Sequence, residues 1–170
     1  VAVSVVMPVR DGMPFLPEAI ESIRSQTLTD LELIIVDDHS SDATASVLGR
    51  YAAADPRIRP VAAEGHGISA ALNQGIGLAR GRYLARMDAD DWSAPARLAA
   101  QVQFLDSRPD YMAVGSDATT MDRTGGDIGT LHSPPRIGSV VEGARLGLIL
   151  LHPTACMRLD AVRRVGGYRA

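Results

Sequence analysis

The sequence YLARMDADDW occupies residues 83–92 and joins an apolar segment to three carboxylates, Asp88, Asp90 and Asp91. Like charges this close together repel one another unless a positive group lies among their oxygens. Hard divalent cations such as Mg²⁺ and Mn²⁺ prefer carboxylate oxygen, so a metal ion is a natural candidate for that group. The apolar residues before the carboxylates, 81–87, are typical of a buried strand. The stretch therefore predicts a strand with an acidic turn at its carboxyl end.

The Asp-x-Asp spacing alone does not establish a metal site. The chain has fifteen aspartates in 170 residues, so this spacing is expected about once by chance. A solvated acidic turn, or a helix N-terminus with Ser93 as its cap, explains the same residues. The position of the cluster within the fold has to decide between these interpretations.

Outward from this stretch, apolar runs alternate with segments of helical periodicity. The predicted strands are 1–7, 31–38, 57–63 and 81–87, and the predicted helices are 15–26, 42–54, 68–79 and 93–105. Pro8 is expected to end the first strand, Asp42 to cap the second helix, and Ser93 to cap the fourth, with Pro95 in its first turn. This alternation predicts an α/β domain with a mostly parallel sheet.

Polar and acidic residues follow three of the four predicted strands. The segments are 8–11 (PVRD), 37–42 (DDHSSD) and 88–91 (DADD). In open parallel sheets, ligands bind beyond the carboxyl ends of the strands, where these segments are expected to gather. The sequence therefore predicts a binding site at this edge of the sheet.

Composition excludes several other functions. The net charge is −3 and aromatic residues make up 4% of the chain, which argues against nucleic-acid binding. Cys156 is the single cysteine, so an internal disulfide and a cysteine-rich zinc site are excluded. No apolar run is long enough to span a bilayer and no signal peptide is visible, so we expect a cytoplasmic protein, with a peripheral position at the cytosolic membrane face as an alternative.

The second half of the chain is less regular. We expect strands at 111–116 and 156–159, a hairpin at 119–132 with Gly125-Gly126 in its turn, and a helix that begins near 139 within 139–151. No linker or repeat is visible, which predicts a single domain over residues 1–170. Cys156 is interpreted as a small buried hydrophobe, and His39 and His66 as loop residues rather than metal ligands.

Several of these segments, taken in order, resemble glycosyltransferase family 2, the inverting nucleotide-sugar transferases with the GT-A fold. The segments are VSVVMPVRDG, SIRSQTLTDLELIIVDDHSSDAT and GISAALNQGIGLARGRYLARMDADD, followed by HPTACMRLDAVRRVGGYR. The resemblance implies a Rossmann-like α/β/α sandwich. It also implies a nucleotide-sugar-binding half at 1–110 and the start of an acceptor half at 111–170.

The resemblance assigns roles to individual residues. Asp90 matches the carboxylate that binds the divalent cation, Mg²⁺ or Mn²⁺, and Asp88 would lie near the ribose or the water shell of the metal. Asp38 matches the contact to the nucleobase, commonly uracil. The other implied nucleotide-sugar contacts are Pro8, Val9, Arg10, Gly67 and Asn73. On the acceptor side the match is to Asp91 and His152, although His152 also fits a structural role.

The implied reaction moves a sugar from a nucleotide-sugar donor, with UDP favoured, to a saccharide or lipid-linked acceptor in cell-surface glycan synthesis. Such a transferase needs a general base, which in this family is an acidic residue shortly after the Gly-Gly-Tyr segment. Here that segment, 166–168, is followed only by Arg169 and Ala170, so we expect the base beyond Ala170 and the chain to be part of a longer protein. Two alternatives remain at this point, a nucleotidyltransferase and a non-catalytic sugar-nucleotide-binding domain.

Overall fold

A six-stranded sheet forms the centre of the fold in a computed structural model that describes residues 1–122, 124–133 and 150–169. The strands within these residues are β1 Val3–Val9, β2 Leu31–Asp37, β3 Ile58–Ala62, β4 Tyr83–Arg86, β5 Ala113–Val114, β6 Ala118–Met121, β7 Asp127–Leu131 and β8 Cys156–Arg158. The helices are α1 Leu16–Arg24, α2 Thr44–Ala54, α3 Ile68–Leu78, α4 Arg97–Ser107 and α5 Leu159–Arg164, with a 3₁₀ turn at His152–Thr154.

The strand order is β3-β2-β1-β4-β8-β5. The first four strands run parallel, whereas β8 is antiparallel to both β4 and β5. This confirms the predicted mostly parallel sheet. It also places β1 between β2 and β4, so the two acidic strand ends lie on either side of the end of β1.

The sheet is covered on both faces. On one face, Val5 and Met7 of β1 pack in a core with residues of α1, α2 and α4. On the other face, Val6 of β1 packs with residues of α3 and α5. Successive side chains of a buried strand point to opposite faces, which is why β1 is apolar at nearly every position. The arrangement confirms the α/β/α sandwich.

The prediction that Pro8 ends the first strand is wrong, because β1 continues to Val9. The carbonyl of Val6 accepts from Met87 N–H on the β4 side, and the carbonyl of Val9 accepts from Asp38 N–H on the β2 side. By this alternation, the missing N–H of Pro8 would face β4, whose pairing with β1 ends at Arg86. Pro8 therefore removes no ladder bond, and the strand passes through it.

The predicted caps of two helices are also wrong. Helix α4 begins at Arg97, and the hydroxyl of Ser93 instead accepts bonds from Gln26 and from Arg97 at 3.1 and 2.8 Å. Helix α2 begins at Thr44, so Asp42 lies one residue before the cap position. One carboxylate oxygen of Asp42 still accepts from Thr44 N–H, and the other accepts from Met13 N–H. The side chains of Ser93 and Asp42 each bond to residues of a different segment of the chain. A capping pattern within one stretch of sequence does not reveal such bonds.

In the second half, the predicted hairpin is confirmed as β6 and β7, with Gly125 at a φ of +84° in the connection. The predicted strand at 111–116 is shorter, Ala113–Val114, and the strand at 156–159 ends at Arg158 because Leu159 begins α5. Most of the predicted helix at 139–151 lies outside the described residues. No helix in the described ranges combines the length and the apolar character needed to cross a membrane.

Candidate functional site

Asp38 and Asp88 lie at the carboxyl edge of the sheet, on either side of β1. Asp38 directly follows β2, and Asp88 comes two residues after β4. Neighbouring strands are spaced about 4.8 Å apart, so the ends of β2 and β4 lie about 10 Å apart. A single cation does not bridge that separation, but an extended ligand such as a nucleotide does.

Asp38 is buried, with 6% of its surface exposed. One of its carboxylate oxygens accepts from the backbone N–H of Gly67 at 2.9 Å. The other, Oδ1, is buried and has no hydrogen-bond donor within the described residues. Gly67 adopts a φ of +86°, a conformation that favours glycine, and it immediately precedes α3. The loop before α3 therefore fixes the Asp38 carboxylate and leaves one oxygen able to accept from a ligand.

Asp88 forms an ion pair with Arg86, the last residue of β4. Arg86 is 3% exposed, and its Nε has no acceptor among the described residues. A buried guanidinium with an unmet donor is unfavourable by itself, and the adjacent carboxylate offsets part of that penalty. This pair places both a positive and a negative charge beside the end of β1.

Asp90 and Asp91 complete the acidic turn and are both exposed. The pKa of Asp91 is raised, chiefly because surrounding protein desolvates it and then because the charges of Asp88 and Asp90 lie close by. Water screens part of this repulsion at an exposed residue. The Asp90 carboxylate forms no hydrogen bond or ion pair within the described ranges. Several carboxylates in one exposed turn, with Asp90 unpaired in the described ranges, offer the oxygen ligands that Mg²⁺ and Mn²⁺ prefer.

The loop after β1 is tied to the loop after β2. Asp11, at a φ of +49°, accepts from Ser41 N–H at 2.7 Å and from Asp42 N–H at 3.3 Å. These bonds lower the pKa of Asp11, with the Ser41 backbone as the largest cause. Arg10, just before it, is exposed, whereas Pro8 and Val9 lie within β1. The predicted contacts of Pro8, Val9 and Arg10 with the nucleotide stay predictions.

The side-chain amide of Asn73, on α3, forms two hydrogen bonds with the backbone of one distant residue, Tyr168. Its Nδ2 donates to the carbonyl of Tyr168 and its Oδ1 accepts from Tyr168 N–H, each at 2.8 Å. This pair of bonds fastens the segment after α5 to α3, on the face opposite α1. In the structure Asn73 therefore has a role that its helical position did not reveal, and its contact with a nucleotide stays a prediction.

The side chain of Tyr168, in the segment after α5, contacts His152. The hydroxyl of Tyr168 and Nε2 of His152 lie 2.8 Å apart, and the two rings meet edge to face. The pKa of His152 is lowered by burial first and then by the charge of Arg86, while Asp88 acts in the opposite direction. His152 thus lies within electrostatic range of the acidic turn, on the side assigned to the acceptor.

Sequence reasoning missed two residues of this region, Arg86 and Tyr168. Arg86 was detectable, because a charged residue ends an otherwise apolar strand and directly precedes the carboxylates. Tyr168 gave no comparable signal, since its role depends on Asn73, ninety-five residues earlier in the chain.

The geometry agrees with what a comparison of the whole sequence with known families finds. The family described as Glycosyl transferase family 2 matches residues 4–163. The chain belongs to this family. The match covers both acidic strand ends and continues through β8 into α5. The carboxyl edge of the sheet described above therefore lies within the part of the chain that matches the family.

Among relatives, the Bacillus subtilis (strain 168) protein named "Putative glycosyltransferase EpsE" is 37% identical over 99% of this chain. The Escherichia coli protein named chondroitin synthase is 37% identical over 55% of the chain. This family 2 chain spans 60% of the length of EpsE and the matched part is 14% of chondroitin synthase.

Solved structures of low identity show the same fold. The mannosyltransferase PcManGT from Pyrobaculum calidifontis, in complex with GDP-Man and Mn²⁺, matches 98% of this chain with a TM-score of 0.74 and 24% identity. S. aureus TarS 1–349 in complex with UDP-GlcNAc matches 97% with a TM-score of 0.76 and 19% identity. This chain covers 47% of each of those two chains. These matches confirm the GT-A fold.

Proposed function

We propose that the protein is a metal-dependent inverting glycosyltransferase that moves a sugar from a nucleotide-sugar donor to a saccharide or lipid-linked acceptor. One observation carries the proposal: Asp38 and the acidic turn 88–91 flank the end of β1 at the carboxyl edge of the sheet. A nucleotide laid across β1 would have its base at the first group and its diphosphate at the second.

Asp38 has the environment that base recognition requires. Its Oδ2 is held by Gly67 N–H, and its buried Oδ1 has no donor among the described residues. That oxygen is suited to accept from the imide N–H of uracil, a donor that cytosine lacks. A hydrogen bond to a charged group in a buried position contributes more than a neutral one, so it would favour a uracil nucleotide over a cytosine nucleotide.

At the other end, Asp90 and Asp88 would hold a Mg²⁺ or Mn²⁺ ion, with the diphosphate oxygens as its remaining ligands. When bound, the metal supplies a Lewis acid that stabilises the negative charge of the departing diphosphate. Arg86 anchors the Asp88 carboxylate and keeps a positive charge close to the same site. Complexes of two structural relatives, with GDP-Man and Mn²⁺ and with UDP-GlcNAc, support this type of donor.

His152 and Asp91 would contact the acceptor, and Tyr168, whose hydroxyl lies 2.8 Å from Nε2 of His152, would lie beside them. The acceptor hydroxyl would enter here, lose its proton to the general base, and attack the anomeric carbon from the face opposite the nucleotide. The bond from that carbon to the diphosphate oxygen breaks, the nucleoside diphosphate leaves, and the configuration is inverted. The names of relatives such as chondroitin synthase support a saccharide acceptor. A location at the cytosolic membrane face would give access to lipid-linked acceptors.

The test measures nucleotide release from a panel of donors. The full-length protein is incubated with Mn²⁺ and with UDP-glucose, UDP-N-acetylglucosamine, GDP-mannose or a dTDP-sugar, with and without a saccharide acceptor. The proposal predicts release of one nucleotide, most readily UDP, and loss of release with EDTA. Tight binding of UDP without any release would instead favour a non-catalytic binding domain, and no binding of any nucleotide would contradict the proposal.

A further inference from the structure

His39 and His66 lie beside Asp38 at the end of β2, and we propose that these three residues form a binding site for a zinc-class divalent transition metal. Their ligand atoms all lie within 4.8 Å of one another. His66 Nδ1 is 3.8 Å from Asp38 Oδ1, which is too long for a hydrogen bond. The two imidazole rings lie together, with centroids 4.4 Å apart and planes 35° apart.

The buried carboxylate gives an independent reason to expect a ligand. Asp38 is more than nine-tenths buried, and its Oδ1 points toward His66 without a hydrogen-bond donor in the described part of the chain. An unpaired buried carboxylate oxygen is unfavourable, and a cation bound to it removes that penalty. Gly67 N–H holds the other oxygen, as an outer contact orients a ligating carboxylate in metal sites.

The distances between the ligand atoms of Asp38, His39 and His66 would match those around a zinc ion after a small movement of the two exposed histidine side chains. Zinc lies about 2.0–2.2 Å from imidazole nitrogen and carboxylate oxygen, which places two ligands of a tetrahedral ion about 3.4 Å apart. A pair at the 4.8 Å limit would need to close by about 1.4 Å. His39 and His66 are both exposed, so their rings are free to make this adjustment while Asp38 stays fixed.

The ligand types distinguish this site from the acidic turn. Two imidazoles and one carboxylate suit Zn²⁺ and Co²⁺, whereas Mg²⁺ takes oxygen ligands and suits Asp88 and Asp90. The site also shares Asp38 with base recognition, a consequence that rests on the proposed function. A zinc ion held by Asp38 and the two imidazoles would occupy the space in front of Oδ1 where uracil would lie, so we expect UDP and the transition metal to compete.

Tag-free protein titrated with Zn²⁺ by calorimetry, and with Co²⁺ by visible absorption, tests the site without any nucleotide. We expect one ion per chain, a Co²⁺ spectrum that excess Mg²⁺ leaves in place, and at least tenfold weaker binding in His39→Ala and in His66→Ala. His132→Ala is the matched control, because His132 is also exposed and lies 3.0 Å from a carboxylate, that of Asp117. Zinc affinity in His66→Ala within twofold of the parent, or an equal loss in His132→Ala, would overturn the site.

A second titration, of Zn²⁺ in the presence of saturating UDP, tests the shared carboxylate. Because the diphosphate of UDP itself chelates Zn²⁺, the free zinc concentration is set by a metal-ion buffer, and we expect UDP to weaken the zinc affinity at least tenfold at equal free zinc. Zinc and UDP that bind independently would overturn the sharing of Asp38. Failure of UDP to bind at all would contradict the proposed function and leave the zinc result standing, whereas UDP binding without zinc binding would contradict the metal site alone.

Discussion

Asp38, which follows β2, is a buried carboxylate with one unpaired oxygen within the described residues. A buried carboxylate must be compensated, and here the protein compensates one oxygen through Gly67 N–H while the other has no hydrogen-bond donor in the described ranges. Protein groups that are buried and unsatisfied are uncommon and call for a physical explanation. A ligand that donates a hydrogen bond at this point supplies one.

Replacement of Asp38 by alanine should weaken UDP binding about tenfold to a hundredfold, the range expected for the loss of a hydrogen bond to a charged group. Pyrophosphate, which has no base, should bind within about threefold of its affinity for the parent, a change under 1 kcal/mol. Calorimetry of both ligands with Mn²⁺ measures the difference. Equal losses for UDP and pyrophosphate would remove Asp38 from base recognition.

At the level of single residues, the sequence alone pointed to Asp38, Asp88 and Asp90 as candidate site residues, because these carboxylates follow apolar strands. It did not reveal that Tyr168 is the partner of Asn73, or that Arg86 is buried at the end of β4, beside β8. Contacts between segments far apart in the chain leave little local signal, and these are the contacts that sequence reasoning missed.

Helix α3 packs closely against β1 at Gly75, which faces Val6. A Cβ atom added at Gly75 would come 2.4 Å from a methyl group of Val6 in β1, much closer than two carbon atoms pack. Gly77, two residues later in the same helix, has nothing within 4 Å of the corresponding point. The sequence shows two similar helical glycines, and only the fold distinguishes them.

Gly75→Ala should therefore lower the free energy of unfolding by about 1–3 kcal/mol, as expected for overpacking a core. Gly77→Ala, its matched control, should raise it by about 0.5–1 kcal/mol, because alanine is the better helix former at an exposed position. Urea denaturation measures both. Equal effects of the same sign in the two variants would contradict the close contact of α3 with β1.

Across the whole molecule, Glu32 links several elements at a buried position of β2. It is 2% exposed and accepts from the Ser4 hydroxyl on β1 at 2.7 Å and from Arg80 N–H at 2.8 Å. Arg59 of β3 and the Arg80 guanidinium bind its other oxygen. Burial alone would raise the pKa of Glu32, but the bonds from Ser4, Arg80 and Arg59 outweigh it and lower the pKa from 4.5 to about 2.

The pKa of Glu32 is lower in the folded chain than in the unfolded one, so its contribution to stability is present above pH 4.5 and is lost as the pH falls toward 2. The shift corresponds to about 3 kcal/mol. Glu32→Gln cannot ionise, so the difference in unfolding free energy between parent and variant should be large at pH 6 and should shrink markedly by pH 3. Urea denaturation at both values measures it, and a difference that stays constant would contradict the network.

The architecture of the whole domain was the most predictable level. Alternating apolar runs and helical segments were enough for the parallel core of the sheet, because β1, β2 and β4 are buried on both faces and each helix shows its apolar stripe. The position of β8, antiparallel between β4 and β5, was not predictable. It depends on pairing between residues 83–85 and 156–158, far apart in sequence.

The central claim is that the two acidic strand ends bind one nucleotide with its metal ion. The most direct measurement is the affinity for UDP with and without Mn²⁺ in the parent, in Asp90→Asn, and in the control Asp110→Asn, which alters an exposed aspartate in the turn after α4. We expect Mn²⁺ to strengthen UDP binding in the parent and in Asp110→Asn, and this gain to fall at least tenfold in Asp90→Asn while the thermal unfolding midpoint is unchanged. An undiminished gain from Mn²⁺ in a folded Asp90→Asn variant would contradict the account.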